Sequence, residues 1–293
     1  MNRLRALLIA MRPHQWSKNL LLAIPPVFAQ VWAEPQVIYS ISLAFLAFCL
    51  AASGGYIIND LIDVEADRRH PEKRHRPFAS GELSPLFGTL WGPALLAAGI
   101  GLGFVAVNRS VGIVVTAYVV LSVVYSAYIK NRLLWDVILL AALYTLRLLA
   151  GSAAAEVETS SWLLGFSMFF FLSLAFAKRF VEFDTAKSAR SPESPRPYRE
   201  IDLDAFRTMG PTSGLLSILV LALYINSDLV TKAYGNPKYL WLLCPLLTYW
   251  ILRIWMITLR GELHHDPIVF ALRDRASYAV VACIALVLYL AVR

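Results

Sequence analysis

Residues 38–58 read IYSISLAFLAFCLAASGGYII, a run without a single formal charge. One helix of that length crosses the ~30 Å hydrocarbon layer of a bilayer. The run is apolar on every side, so it lacks the single stripe of a soluble amphipathic helix. Similar runs recur at 19–32, 89–107, 111–129, 134–155, 162–177, 208–225, 239–259 and 276–292, and nine spans are expected. The first is short and holds Pro25 and Pro26, which predicts a kinked or partly unwound segment. The composition agrees: 58% of residues are hydrophobic and 16% charged, against about 45–50% and about 25% in soluble domains. The fold class is an all-α polytopic membrane protein, read as a single transmembrane domain over 1–293. No signal-peptide pattern is visible, so the first span is expected to stay in the mature protein. Cys49, Cys244 and Cys283 all fall inside apolar runs and read as packed hydrophobes.

The net charge of +7 is first a topology signal. With the N-terminus inside, twenty-one of the cations fall on the cytoplasmic side and four, Arg109, Lys232, Lys238 and Arg293, on the other. Arg147 and Arg253 lie within spans. An N-in, C-out chain in a bacterial inner membrane follows, with the polar loops 59–88 and 178–207 forming the cytoplasmic face. Nothing in the chain points to nucleic acid.

The loop after the second span opens NDLIDVEADRRHPEKRHRP. Continued as a helix at 100° per residue, Asn59, Asp63, Asp67 and Asp60 fall on one arc of about 100°, and Glu65 lies opposite. Carboxylates on one face repel each other, and a divalent cation removes that cost. Hard oxygen ligands suit Mg2+, which binds through one or two carboxylates and leaves room for phosphate oxygens. Asn59, Asp60, Asp63 and Asp67 are therefore the predicted metal ligands. The cations that follow, Lys73 and Arg76 among them, suit the far end of a polyphosphate.

The pattern N-D-x-x-D-x-x-x-D resembles the first aspartate motif of the UbiA-type intramembrane prenyltransferase superfamily. The resemblance implies nine helices around a central cavity, with that motif holding magnesium and a diphosphate. Prenyl-transferring members carry a second acidic motif, D-x-x-x-D, after the sixth span. This chain has AFAKRFVEFD there, with Lys178, Arg179 and Glu182 on one helical arc and Asp184 off it. The superfamily's Y-x-x-x-K appears as YSAYIK, with Tyr125 and Lys130 one residue farther apart.

A cationic second half suits a separate phosphate, as in 5-phosphoribosyl 1-diphosphate (PRPP). The stretches RPHQWSKNLL, NDLIDVEADRRHPEKRHRPFASG, YTLRLLAG, AKRFVE and HHDPIVFALRDR are similar to the decaprenyl-phosphate phosphoribosyltransferase branch. That similarity implies Mg-dependent phosphoribosyl transfer from PRPP to a polyprenyl phosphate. Asp63, Asp67, Lys178 and Glu182 are then the expected catalytic residues. Lys18, Lys73, Arg76, Tyr125, Lys130, Lys178 and Arg179 are the expected substrate contacts. Two rival readings are an aromatic or heme-type prenyltransferase with a polyprenyl diphosphate donor, and a transporter. Transporters place charge near the midplane, whereas here it gathers at one surface. A homo-oligomer is left open by the sequence.

Other polar features read as structural. Arg147, deep in the fifth span, is expected to have backbone carbonyls or Glu156 as partners. His264, His265 and Asp266 read as an interfacial loop, 188–197 as a linker, and the tryptophans near span ends as an aromatic belt. Arg273, Asp274 and Arg275 suit a helix start and site closure equally well.

Overall fold

The computed structural model describes residues 3–71, 73–188, 198–263 and 266–292. The chain packs as two compact units, Met1–Lys130 with Leu146–Thr159, and Asn131–Thr145 with Ser160–Arg293. The first holds α1 (Arg3–Met11), a 3-10 segment (Pro13–Ala23), α2 (Ile24–Phe28), α3 (Pro35–Ile62), α4 (Val64–Arg69), α5 (Pro85–Leu102), α6 (Arg109–Ala127) and the second half of α7 (Trp135–Ala154). The second holds the first half of α7, then α8 (Ser161–Ser188), α9 (Asp202–Ile225), α10 (Asp228–Ala233), α11 (Leu243–Leu259), α12 (Pro267–Ala271) and α13 (Arg275–Val292).

Eight helices among the described residues are long and apolar enough to cross a membrane. They coincide with eight of the nine predicted spans. Their outward faces carry large apolar side chains such as Leu90, Val105, Leu219 and Val281, more than half exposed. Helices suit this setting because they satisfy their own backbone groups in lipid. Their ends are signalled locally. Pro35 and Pro85 stand in the first turns of α3 and α5, where a missing N–H costs nothing. Ser84 and Asn108 accept from the backbone N–H groups of Phe87 and Val111. Between α3 and α5 the backbones approach closely. A Cβ on Gly99 would lie 2.7 Å from the Ala47 carbonyl oxygen, which is small-residue packing of the membrane kind.

The ninth predicted span, 19–32, takes a different form. The chain there is the 3-10 segment followed by α2, and prolines explain why. Pro25 and Pro26 lack the N–H groups that an α-helix would aim at the Leu21 and Leu22 carbonyls. The Leu21 oxygen instead accepts from the Ile24 N–H, an i→i+3 bond. A 3-10 helix rises ~2.0 Å per residue, so 13–28 reaches about 30 Å, a bilayer's hydrocarbon thickness, with few residues.

The segment lies antiparallel along α3. Trp16 donates to Ser53 Oγ (3.0 Å), and Asn19 donates to Cys49 Sγ (3.3 Å). Three residues of 3-10 helix and four of α-helix both rise about 6 Å, so the two hydrogen bonds stay in register. Arg147, 4% exposed, fixes the other side of the segment. Its Nε donates to Asn19 Oδ1 (2.9 Å) and its Nη2 to the Tyr118 hydroxyl (3.1 Å). Asn19 and Tyr118 are thus partners of Arg147 that the sequence did not name. The reason is proximity: the segment passes so close to α7 that a Cβ on Gly151 would lie 2.2 Å from the Leu22 carbonyl oxygen.

The second unit packs large aromatics whose polar atoms are satisfied. Buried Trp255 donates to Ser173 (2.9 Å), and Trp250 donates to Ser277 (2.9 Å).

Candidate active site

In the first unit the acidic stretch lies at the end of α3. The helix stops at Ile62, and Asp63 (φ −92°, ψ 2°) joins it to α4. The break is slight. The Asp63 N–H still donates to the Asn59 carbonyl (2.9 Å), and the Asp67 N–H to the Asp63 carbonyl (2.8 Å). Helical spacing thus carries across, and the acids stay on neighbouring positions. Asp60 and Asp67 are buried, Asn59 and Asp63 are partly buried, and Glu65 is 73% exposed.

Each inward carboxylate meets a cation. Arg12 Nη2 lies 2.6 Å from Asp60 Oδ1. One nitrogen of Arg76, Nη1, bridges Asp60 Oδ1 (3.2 Å) and Asp67 Oδ2 (2.8 Å). Lys130 pairs with Asp63. Arg12 is delivered by the left-handed turn (φ 53°) that opens the 3-10 segment, and its guanidinium also lies over the Tyr56 ring, 5.1 Å from the centroid. Arg76 follows a short 3-10 turn at Lys73–His75, and Lys130 lies in another at Ile129–Asn131. Among the predicted phosphate contacts, Arg76 and Lys130 are thus at the acids. Lys18 is buried on the 3-10 segment, Lys73 is partly buried beside His70, and Tyr125 is partly buried on α6.

The donor set can be tested against a metal. Among the described residues no three His, Cys, Asp or Glu side chains converge closely enough to hold an ion alone. Two carboxylates bridged by one positively charged nitrogen do fit a hard cation that takes its other ligands from water and phosphate.

In the second unit, α8 carries Lys178, Arg179 and Glu182. Lys178 is about one-quarter exposed, with Nζ 3.6 Å from Asp266 Oδ2. Asp266 also accepts from the Tyr144 hydroxyl (3.3 Å) and, at its other oxygen, from the Ile268 N–H (3.1 Å), which caps α12. Arg179 is 2% exposed. Its Nε donates to Asp136 Oδ2 (2.5 Å) and its Nη1 to Glu182 Oε2 (2.5 Å). The Tyr198 hydroxyl donates to Asp136 and accepts from the Leu134 N–H (3.1 Å). Burial, and next the bond to Asp136, push the Tyr198 phenol well above its ordinary pKa, so it stays a donor. The helical arc thus brings Arg179 and Glu182 together, but as an ion pair. Lys178 is the cation of the two that keeps exposed surface.

Arg253 grips Asp274 with both terminal nitrogens (2.7 and 2.9 Å). Burial pushes the Asp274 carboxyl upward, but bonds from Arg253 and Ser277 outweigh it and hold the group below its usual range. His264, His265 and residues 189–197 of the expected linker lie outside the described residues.

Four residues of these clusters escaped the sequence reading. Asp136 stands in the first turn of an apolar helix, and an acid at that position is a detectable signal. Arg12 and Asp266 lie in the family-like stretches RPHQWSKNLL and HHDPIVFALRDR, but no spacing marks either as a site residue, and Tyr198 carried no signal at all.

Carboxylates and cations gathered at the helix ends of a multi-pass membrane protein suit an enzyme that handles phosphates at the membrane surface. The family comparison makes this specific: residues 22–277 match the UbiA prenyltransferase family, and the chain belongs to it. The uncharacterized protein y4nM of Sinorhizobium fredii is 39% identical over 94% of this chain, which spans about half (54%) of that relative's length. The nodulation protein NoeC of Azorhizobium caulinodans is 35% identical, covering 94% of this chain and 90% of the relative. The decaprenyl-phosphate phosphoribosyltransferase of Mycolicibacterium smegmatis is 30% identical, covering 94% and 88%. Among solved structures, a UbiA homolog from Archaeoglobus fulgidus bound to GPP and Mg2+ superposes with a TM-score of 0.74 at 19% identity, covering 97% of this chain and 99% of the other. That likeness establishes the fold.

Proposed function

We propose that this protein transfers 5-phosphoribose from PRPP to a polyprenyl phosphate and releases diphosphate, with its active face in the cytoplasm. The observation that carries the reading is the asymmetry of charge. One unit presents carboxylates at the first aspartate motif, while the position of the second motif carries Lys178, Arg179 and Glu182. Prenyl transfer from a lipid diphosphate calls for acids at both. Relatives named decaprenyl-phosphate phosphoribosyltransferase support the choice.

Asn59, Asp60, Asp63 and Asp67 would hold Mg2+ together with the diphosphate. Bound there, the metal supplies Lewis-acid neutralisation of the leaving group. Arg76 and Lys130, now on Asp60, Asp67 and Asp63, exchange those carboxylates for diphosphate oxygens and add fixed positive charge. In the reaction the C1–O bond to diphosphate breaks with its electron pair on the diphosphate, and a lipid phosphate oxygen forms the new C1–O bond. Attack from the opposite face inverts the anomeric carbon. The attacking oxygen is already anionic, so no general base is required. Lys178 serves the second phosphate. Arg179, held between Asp136 and Glu182, positions Glu182 for a ribose hydroxyl.

Purified protein given labelled PRPP, polyprenyl phosphate and Mg2+ should yield a labelled phosphoribosyl lipid and lose that activity in chelator. Turnover only with polyprenyl diphosphate and an aromatic acid acceptor would overturn the reading.

A further inference from the structure

The start of α6 and the end of α7 line an open cavity of about 570 Å³ that plays no part in this chemistry. Lys130, just past the other end of α6, is bonded to Asp63. α6 itself is 19 residues long, which at 1.5 Å per residue puts about 28 Å of helix between its start and the end near the acids. The cavity floor is pinned by Asn108. Its Nδ2 donates to the Ala153 carbonyl (2.8 Å), and its Oδ1 accepts from the Val111 N–H (2.9 Å).

Three features of the lining lack a structural purpose. Ser152 is 1% exposed, and its Oγ has no hydrogen-bond partner. Hydroxyls on these helices ordinarily donate to the carbonyl one turn back, as Ser42 and Thr116 do to Ile38 and Gly112. Buried polar atoms without partners are rare enough to need a cause. Arg109 and Glu156, opposite in sign and both exposed, line the same cavity. Among the described residues neither side chain has a partner, and they do not pair with each other. Glu156 follows the end of α7 with φ 55°, a left-handed position that glycine or asparagine usually fills. Its carboxylate is held there at a conformational cost.

The cavity lining thus includes a guanidinium and the two N–H groups of α6 ahead of the capped Val111, those of Arg109 and Ser110, which suit an anion. It also includes the Glu156 carboxylate and the buried Ser152 hydroxyl. Its place at the ends of two spanning helices is the depth of lipid headgroups. We propose that this cavity binds the headgroup of a phosphatidylethanolamine, with the phosphate on Arg109 and the start of α6, the ammonium on Glu156, and Ser152 Oγ donating to a phosphate oxygen. A primary ammonium donates hydrogen bonds to a carboxylate, whereas choline cannot, and a glycerol headgroup leaves Glu156 facing a phosphate with no cation between. The site is independent of the transfer reaction proposed above.

The test uses the full chain, delipidated in detergent and titrated with phosphatidylethanolamine, phosphatidylcholine or phosphatidylglycerol. Thermal shift and native mass spectrometry are the readouts. Phosphatidylethanolamine should raise Tm and persist as a one-to-one adduct, with the other two at least about tenfold weaker, the worth of one charge-assisted hydrogen bond. Arg109→Gln and Glu156→Gln, both at exposed positions, should each erase that preference. Ser152→Ala should raise the lipid-free Tm and shrink the lipid-dependent rise. Equal shifts from all three lipids, or a preference that survives both charge variants, would overturn the proposal. So would a Ser152→Ala protein whose lipid response is unchanged.

Discussion

At the residue scale, the acids at the end of α3 divide by what they touch. Asp63 faces Lys130, while Glu65 lies 73% exposed with only Arg68 at 3.3 Å. A surface pair of that kind contributes little. Asp63→Ala should therefore cut the proposed phosphoribosyl transfer by about 100-fold or more, the loss of a group that stabilises developing charge. Glu65→Ala should stay within about twofold. Both proteins should keep Tm and a monodisperse elution profile. Equal damage from the two substitutions would sink the assignment of a working face. This division was legible in the sequence, because 100° per residue separates Glu65 from the other acids, and the break at Asp63 is too slight to disturb the spacing. The neutralising cations were less legible. Arg12 and Lys130 reach Asp60 and Asp63 across 48 and 67 residues, pairings that no local spacing encodes. Arg179 shows the opposite error. Its arc with Lys178 and Glu182 was readable, but not Asp136, which binds it in a buried network. Angular position along a helix says which side chains are neighbours. It does not say what lies on the element they face.

At the scale of elements, the spans announced themselves by length and apolarity, and the one that differed did so for a reason written in its prolines. What the sequence hid was how tightly the 3-10 segment is clasped. It is held on α3 by Trp16 and Asn19, and on α7 by Arg147 and the bare backbone at Gly151. Since the same segment opens with Arg12, its seating sets where that guanidinium meets Asp60. Gly151→Val should thus push the segment off its seat. Overpacking of this kind costs about 1–3 kcal/mol, so Tm should fall and transfer activity with it. Gly101→Val is the control, because a Cβ there meets nothing within 4 Å, and it should leave both unchanged. If the two variants behave alike, the clasp has no mechanical role.

At the scale of the whole molecule, the question is how many times the chain crosses the bilayer. Eight long helices alone would return the chain to the side on which it started. The N-in, C-out arrangement expected from its cations, with a net charge of +7, calls for an odd number of crossings. The two agree if the 3-10 segment with α2 is itself a crossing, short in residues but about 30 Å long by its steeper rise. Its antiparallel registry with α3 already demands that its two ends lie at different depths. Arg12 is level with Asp60, and Asn19 is level with Cys49, about three turns away. The exposed positions Ser80 and Glu34 follow and precede α3, so they should lie on opposite sides. In a cysteine-free background, Glu34→Cys should react with an impermeant maleimide added to intact cells. Ser80→Cys and an N-terminal tag should become accessible only after the cells are opened. A tag that is reached together with Glu34→Cys would mean that the segment turns back within the membrane, and the match between its length and the bilayer would then be a coincidence.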